Sequence, residues 1–280
     1  MKLGDIEFHI ISDGSFWIDG GTVFGVVPKA LWARLLTPDE QNRVRFGLNC
    51  LLVRAQGKNI LLDTGIGTKS NTRRQRIFNM AAGKLTEQLA AHGLTPNDIH
   101  YVALSHLHFD HVGGCTLAGP MGKPVVAFPK AQHLVQRAAW EEAVHPSERN
   151  AAGYFPEDFM PIEEGRQLEL LDGDTEMAPG VWLRVTHGHT AGHQVMVVNA
   201  GGHTVAAFAD VMPTQHHLPL PWSQSFDVEP NVLLAKKKEL LAQAEAERWL
   251  LVLDHGLDGE RAGYVERTPE GRLKFKPISE

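Results

Sequence analysis

The sequence predicts an α/β fold, a four-layer αββα sandwich, in one domain spanning residues 1–280. Two observations predict it. Short apolar strands gather at both ends of each half of the chain and helical segments follow them, the pattern of two packed β-sheets with helices outside. No low-complexity linker, repeat or break in composition divides the chain. Its 280 residues are 43% hydrophobic, enough to bury a sizeable core, and 21% charged, which excludes a disordered or fibrous class.

In chain order, Ile6–Ile11, Asn49–Val53 and Asn59–Asp63 read as strands, the last two joined through a turn at Gln56-Gly57-Lys58. Lys84–His92 carries Leu85, Leu89 and Ala90 at helical spacing and stops at Gly93. His100–Leu104 is a short apolar strand, Pro124–Phe128 another, and Lys130–Trp140 reads as a helix. In the second half Val181–Val185, His193–Asn199 and Thr204–Phe208 read as strands. Asn231–Glu247 reads as a long helix starting at Pro230-Asn231, and Trp249–Leu253 as a last buried strand.

The formal net charge is −6 with no long basic run, which argues against a nucleic-acid partner. No apolar run approaches the roughly 20 residues of a membrane span, and MKLGDIEFHI offers no secretory leader, so a cytoplasmic location is expected. Cys50 and Cys115, without CxxC spacing, are expected as reduced buried thiols.

The 15 histidines are the unusual count, because many of them cluster with Asp in short loops directly after apolar strands: Leu104 precedes His106, Phe208 precedes Asp210, Leu253 precedes His255. Strand ends are where rigid scaffold meets adaptable loop. In His106-Leu107-His108-Phe109-Asp110-His111, four potential ligands fall within six residues, and Leu107 and Phe109 can pack backwards while the polar groups converge. Imidazole with carboxylate suits zinc, with manganese or iron also accepted.

This HxHxDH segment, followed by Gly113-Gly114, resembles the signature of the metallo-β-lactamase-fold superfamily. Asp63-Thr64-Gly65 is similar to the family's Asp-Thr-Gly turn, and Gly188-His189-Thr190-Ala191-Gly192-His193 to the segment whose second His is a ligand. Asp210 resembles the bridging carboxylate and His255 the last ligand. The resemblance runs from about Glu7 to His255. It implies the αββα fold and two divalent metal ions per chain, zinc foremost. His106, His108 and His193 would hold one ion, Asp110, His111 and His255 the other, and Asp210 would bridge them. Open positions for water mark such a site as catalytic rather than structural.

The implied activity is metal-dependent hydrolysis of a small ester-like molecule: a lactone, ester or phosphotriester. Asp110 is the expected catalytic residue, orienting the nucleophile or handing a proton to the leaving group. Asp210 in place of Cys is unlike the main dizinc β-lactamases, and His108 in place of Glu is unlike the flavodiiron oxidoreductases. Val211-Met212-Pro213 lacks the Tyr of the best-known acyl-homoserine lactonases. The arm Asp13–Phe46 and the loop after Asp210 look more like the lactonase and methyl-parathion-hydrolase branch than glyoxalase II, the thioesterase alternative. A mononuclear iron persulfide dioxygenase of the same fold is a further alternative, as is a non-catalytic metal binder.

Several residues have a structural expectation beside a functional one. Asp63 is expected to orient the ligand loop, and His189 to shape a turn or to contact the ligands from outside. His216, His217 and Leu218–Trp222 are candidates for the pocket wall. Phe16, Trp17 and Phe24–Trp32 could line the same mouth or form a subunit contact, so a homodimer stays open.

Overall fold

The computed structural model describes residues 1–69 and 72–278. The first half supplies β1 (Lys2–Leu3), β2 (Ile6–Asp19), β3 (Arg43–Ala55), β4 (Lys58–Leu62), β5 (Tyr101–Ala103), a small hairpin of β6 (Thr116–Ala118) and β7 (Pro124–Val126), then β8 (Gln132–Gln136) and β9 (Leu168–Leu171). The second supplies β10 (Thr175–Ala178), β11 (Val181–Val185), β12 (Gln194–Ala200), β13 (His203–Ala207), β14 (Leu250–Val252), β15 (Ala262–Arg267) and β16 (Leu273–Pro277). Two seven-stranded sheets result, ordered β1-β2-β3-β4-β5-β8-β9 and β10 through β16. Each is mixed: β4, β5, β8 and β9 run parallel in the first, β13 and β14 in the second.

Alternation along the strands builds the layers. Leu51, Val53, Ile60, Leu62, Ala103 and Leu134 face Leu183, Met196, Val198, Val205 and Val252 between the sheets. The intervening Cys50, Leu52, Leu61, Val102 and Val135 point to the opposite face. There they meet Leu85 and Leu89 of α4 (Leu85–Ala91), Trp140 of α6 (Arg137–Val144) and Phe159 of α7 (Pro156–Glu164), counting after α1 (Gly20–Phe24), α2 (Lys29–Trp32), α3 (Thr72–Phe78) and α5 (Phe109–Val112). On the outside of the second sheet, Val195, Val197, Ala206 and Leu251 pack against Leu233, Leu240, Leu241 and Ala244 of α8 (Pro230–Ala246). A side-chain period of two, read on both faces, thus yields helix, sheet, sheet, helix.

The helices around Leu85 and Asn231 and most of the expected strands are present within a few residues. The strand expected at Ile6–Ile11, however, runs on to Asp19, and that expected at Asn49–Val53 begins at Arg43. The strand expected as the last, Trp249–Leu253, is followed by β15 and β16. The helix expected over Lys130–Trp140 is corrected: Gln132–Gln136 is β8, and α6 begins only at Arg137. His133, Leu134 and Val135 are buried on both faces between β5 and β9, and that pairing overrides local helical spacing. The N-terminal arm is a long β2–β3 hairpin with α1 and α2 at its tip. Cys50 and Cys115 are buried free thiols. No helix of the described residues is long and apolar enough to cross a membrane.

Candidate metal centre

The His/Asp residues meet at one end of the sandwich, each placed just past a strand. After β5, Ser105 is fastened to the end of β4: its N–H donates to Asp63 Oδ1 at 2.7 Å and its hydroxyl to Asp63 Oδ2 at 2.6 Å. Leu107 and Phe109 are buried in separate apolar clusters, so the spacers pack away as their alternation suggests. The turn is held tightly against the Asp63-Thr64-Gly65 loop. The Thr64 N–H and hydroxyl both donate to the His111 carbonyl, at 2.8 and 2.9 Å. A Cβ on Gly114 would stand 2.2 Å from the Thr64 carbonyl oxygen, which is why a glycine is needed there.

Three groups of donor atoms result among the described residues. His106, His108, His189 and Asp210 place one ligand atom each within 4.8 Å of one another, and so do Asp110, His111 and His255. The third, Asp63, His111 and Asp254, shares His111 with the second. In the first group His108 Nδ1 lies 2.9 Å from His106 Nε2 and 3.1 Å from His189 Nε2, which is itself 3.1 Å from Asp210 Oδ2. The other oxygen of the same carboxylate, Asp210 Oδ1, lies 3.1 Å from His255 Nε2 and 3.7 Å from His111 Nε2. Asp110 Oδ2 is 3.8 Å from His255 Nε2. Asp210 therefore stands between the first two groups, one oxygen toward each.

The outer contacts fix each ring. His111 Nδ1 meets Asp63 Oδ2 at 2.9 Å, His189 Nδ1 meets Asp227 Oδ1 at 2.7 Å, and His255 Nδ1 donates to the Gly47 carbonyl at 2.8 Å. Hydrogen bonds of this kind select the tautomer that leaves the opposite nitrogen free to ligate. The residues fit metal. His111 Nε2 and Asp210 Oδ1 are buried without a hydrogen-bond partner, and the donor groups consist of His and Asp alone. The electrostatics agree. Burial, with the neighbouring imidazoles, holds His106 and His108 well below the usual histidine range, hence neutral. Burial also opposes charge on His111, but the carboxylates of Asp63, Asp110 and Asp210 outweigh it and hold it at about 10. Burial likewise raises Asp210, but His189 and His255 outweigh it, holding the carboxylate well below its ordinary range. The acidic groups here draw positive charge to themselves.

Of the expected residues, the structure brings together His106, His108, Asp110, His111, Asp210 and His255. His193 falls in none of the three groups. Its Nδ1 shares a 2.6 Å hydrogen bond with Thr186 Oγ1, its Nε2 is buried without a partner, and its ring centroid lies 5.2 Å from that of His106. His189, four residues earlier, belongs instead to the group of His106, His108 and Asp210. Gln224 and Asp227 were not singled out from the sequence; a Phe-Asp pair in a polar loop carries no ligand spacing.

A cavity of about 240 Å³ opens onto the centre, lined by Asp110, Asp210 and His108, by Ile18, Phe78, Phe109 and Phe226, and by Thr22, Arg149 and Asn150. Of the proposed wall residues, Leu218, Leu220 and Trp222 instead line a separate outer groove beside α8. His217 is buried, its Nε2 2.9 Å from the Val23 carbonyl. Phe16, Phe24 and Trp32 are core residues beneath the arm, while Ile18 and Thr22 reach the cavity.

The model of the metallo-beta-lactamase superfamily matches residues 43–256. An N-acyl homoserine lactonase of Bacillus thuringiensis is 28% identical over 228 residues, 76% of this chain and 82% of its own. Among solved structures, a probable metal-dependent hydrolase from Staphylococcus aureus superposes with a TM-score of 0.90 at 28% identity, covering 100% of this chain and 99% of that one. An N-acyl homoserine lactone hydrolase with the product N-hexanoyl-L-homoserine at its catalytic metal centre gives a TM-score of 0.68 at 25% identity, over 92% and 95% of the two chains.

Proposed function

Because the chain belongs to the metallo-β-lactamase superfamily as a metal-dependent hydrolase, we propose that it opens the ester bond of a small lactone or ester with an apolar acyl group, at a dinuclear centre. His106, His108 and His189 would hold one ion, Asp110, His111 and His255 the other, and Asp210 both. His189 thus takes the place expected for His193. The observation that carries the reading is the position of Asp210, with one carboxylate oxygen 3.1 Å from His189 Nε2 and the other 3.1 Å from His255 Nε2.

When bound, two divalent ions, zinc foremost, would bring the pKa of a shared water toward neutrality and draw charge from the ester carbonyl. The chain's own residues do the rest. Phe78, Phe109, Phe226 and Ile18 accommodate an apolar acyl group and exclude bulk water from the reacting carbonyl. Asp110 lines that cavity and is the most exposed of the acidic ligands, its side chain 12% accessible against 4% for Asp210. It can accept the proton of the attacking water as the new C–O bond forms and pass it to the alkoxide as the ester C–O bond breaks. Thr22, Asn150 and Arg149 form the polar side of the same cavity.

The second donor group counts against a mononuclear persulfide dioxygenase. A relative acting on N-acyl homoserine lactones supports a lactone. The test is a screen of metal-quantified protein on acyl lactones, aryl esters, thioesters and phosphotriesters, with His106→Ala and Asp210→Ala as controls. Lactone or ester turnover lost in both variants supports the proposal. Turnover retained in both, or confined to phosphotriesters or thioesters, overturns it.

A further inference from the structure

We propose that Gln224 is a positioning residue that tunes one of the two metal positions and leaves the other alone; the inference rests on the dinuclear reading above. Gln224 is only 5% exposed, and its Nε2 donates to Asp210 Oδ2 at 3.0 Å. That is the oxygen 3.1 Å from His189 Nε2, in the group with His106 and His108; Oδ1, on the His111 and His255 side, receives no such bond. The backbone N–H of Gln224 donates to Asp227 Oδ2 at 2.8 Å, and Asp227 Oδ1 meets His189 Nδ1 at 2.7 Å. One short loop therefore grips two ligands of the same group, a carboxylate through a side chain and an imidazole through Asp227.

The loop is itself held from three sides. The Ser225 N–H donates to the Thr22 carbonyl at 2.8 Å, and Arg149 Nη2 donates to the Ser225 carbonyl at 2.5 Å. Lys237 Nζ, from α8, donates to the Trp222 carbonyl at 2.8 Å. Thr22 and Arg149 also line the catalytic cavity. An amide fixed in this way sets the angle of the Asp210 carboxylate and draws electron density from one of its oxygens, so it acts on the ion that oxygen holds. Outer hydrogen bonds to ligands typically change metal affinity by about 10–100-fold.

The test is a stepwise Co2+ titration of metal-free protein, followed by visible absorption and chelator competition, on the wild type, Gln224→Met and Gln224→Ala, with thermal unfolding of each metal-free form. Methionine keeps the volume and removes the donor. The expected result is that both variants lose about 10–100-fold affinity in one step only, with an altered absorption band for that step, kcat lowered and KM little changed. Methionine leaves metal-free stability at the wild-type level. Wild-type affinity and spectrum in Gln224→Met, with Gln224→Ala impaired, would mean that Gln224 merely fills space and would overturn the inference. Equal weakening of both steps would overturn it too. A wild type that takes up fewer than two Co2+ per chain would instead overturn the dinuclear reading, which separates the two failures.

Discussion

His111 Nδ1 lies 2.9 Å from Asp63 Oδ2, both side chains being fully enclosed, and Asp63 also receives the Ser105 N–H and hydroxyl. A residue just past β4 of the first sheet thereby sets both the path of the His106–His111 turn and the orientation of the His111 ring. Asp63→Asn keeps the volume but turns an amide toward His111. The expected outcome is a loss of about 10–100-fold in metal affinity, measured by chelator competition, with the fold retained by circular dichroism. Wild-type affinity would show that Asp63 only closes a turn.

His189 and His193 are the pair that tests the proposed ligand set. His189→Ala removes a nitrogen 3.1 Å from both His108 Nδ1 and Asp210 Oδ2 and takes the imidazole contact from Asp227 Oδ1, while the Gln224 N–H still donates to Oδ2. Its activity is expected to fall by more than the roughly 100-fold that loss of an outer hydrogen bond causes, with about one metal equivalent lost. His193→Ala is expected to keep both equivalents and stay within that range. Metal analysis beside initial rates decides, and the reverse ranking would restore His193 as the ligand.

Gly114→Ala tests the close approach of the ligand loop to the Asp-Thr-Gly turn. The added Cβ would sit 2.2 Å from the Thr64 carbonyl oxygen, so the backbone must shift. Overpacking of this kind costs about 1–3 kcal/mol, to be read from urea unfolding of the metal-free protein. Because Thr64 donates twice to the His111 carbonyl, weaker metal uptake should accompany it.

Stability should fall in mild acid partly through a histidine remote from the metal centre. His133 is fully buried, and burial outweighs the backbone of Gln167 and Ala131 and pushes it down to about 4. Between its ordinary value of 6.5 and that value the unfolded chain binds the proton and the folded chain does not. The neutral ring is therefore tolerated above about pH 6.5, and stability drains away as the pH falls toward 4, by up to about 3 kcal/mol at roughly 1.4 kcal/mol per pH unit. Urea unfolding of the wild type and His133→Leu at pH 7.5, 6 and 5 checks it. The variant should show a shallower decline, and parallel curves would contradict the assignment.

Local pattern made much of this molecule legible, and long-range pairing hid the rest. His106, His108, Asp110 and His111 announce themselves because four potential ligands share one turn, and Asp210 and His255 because each follows an apolar strand. The choice between His189 and His193 was not accessible in this way. Both lie in one glycine-flanked turn, and what favours His189 in the proposed reading is its contact with Asp227, 38 residues away. Gln132–Gln136 reads as helix until β5 and β9 flank it, and β15 and β16 carry too little alternation to stand out beside a strand already ending in a ligand. Gln224 had no signal at all, since a lone amide in a loop acquires meaning only from the carboxylate it touches.

The central claim, that Asp210 joins two metal positions, is tested most directly by anomalous diffraction from crystals of the zinc- or manganese-loaded protein. The account predicts two peaks about 3.5–4 Å apart, one among His106, His108 and His189, the other among Asp110, His111 and His255, with an Asp210 oxygen on each. A single peak, or a peak coordinated by His193 with His189 turned aside, would contradict it.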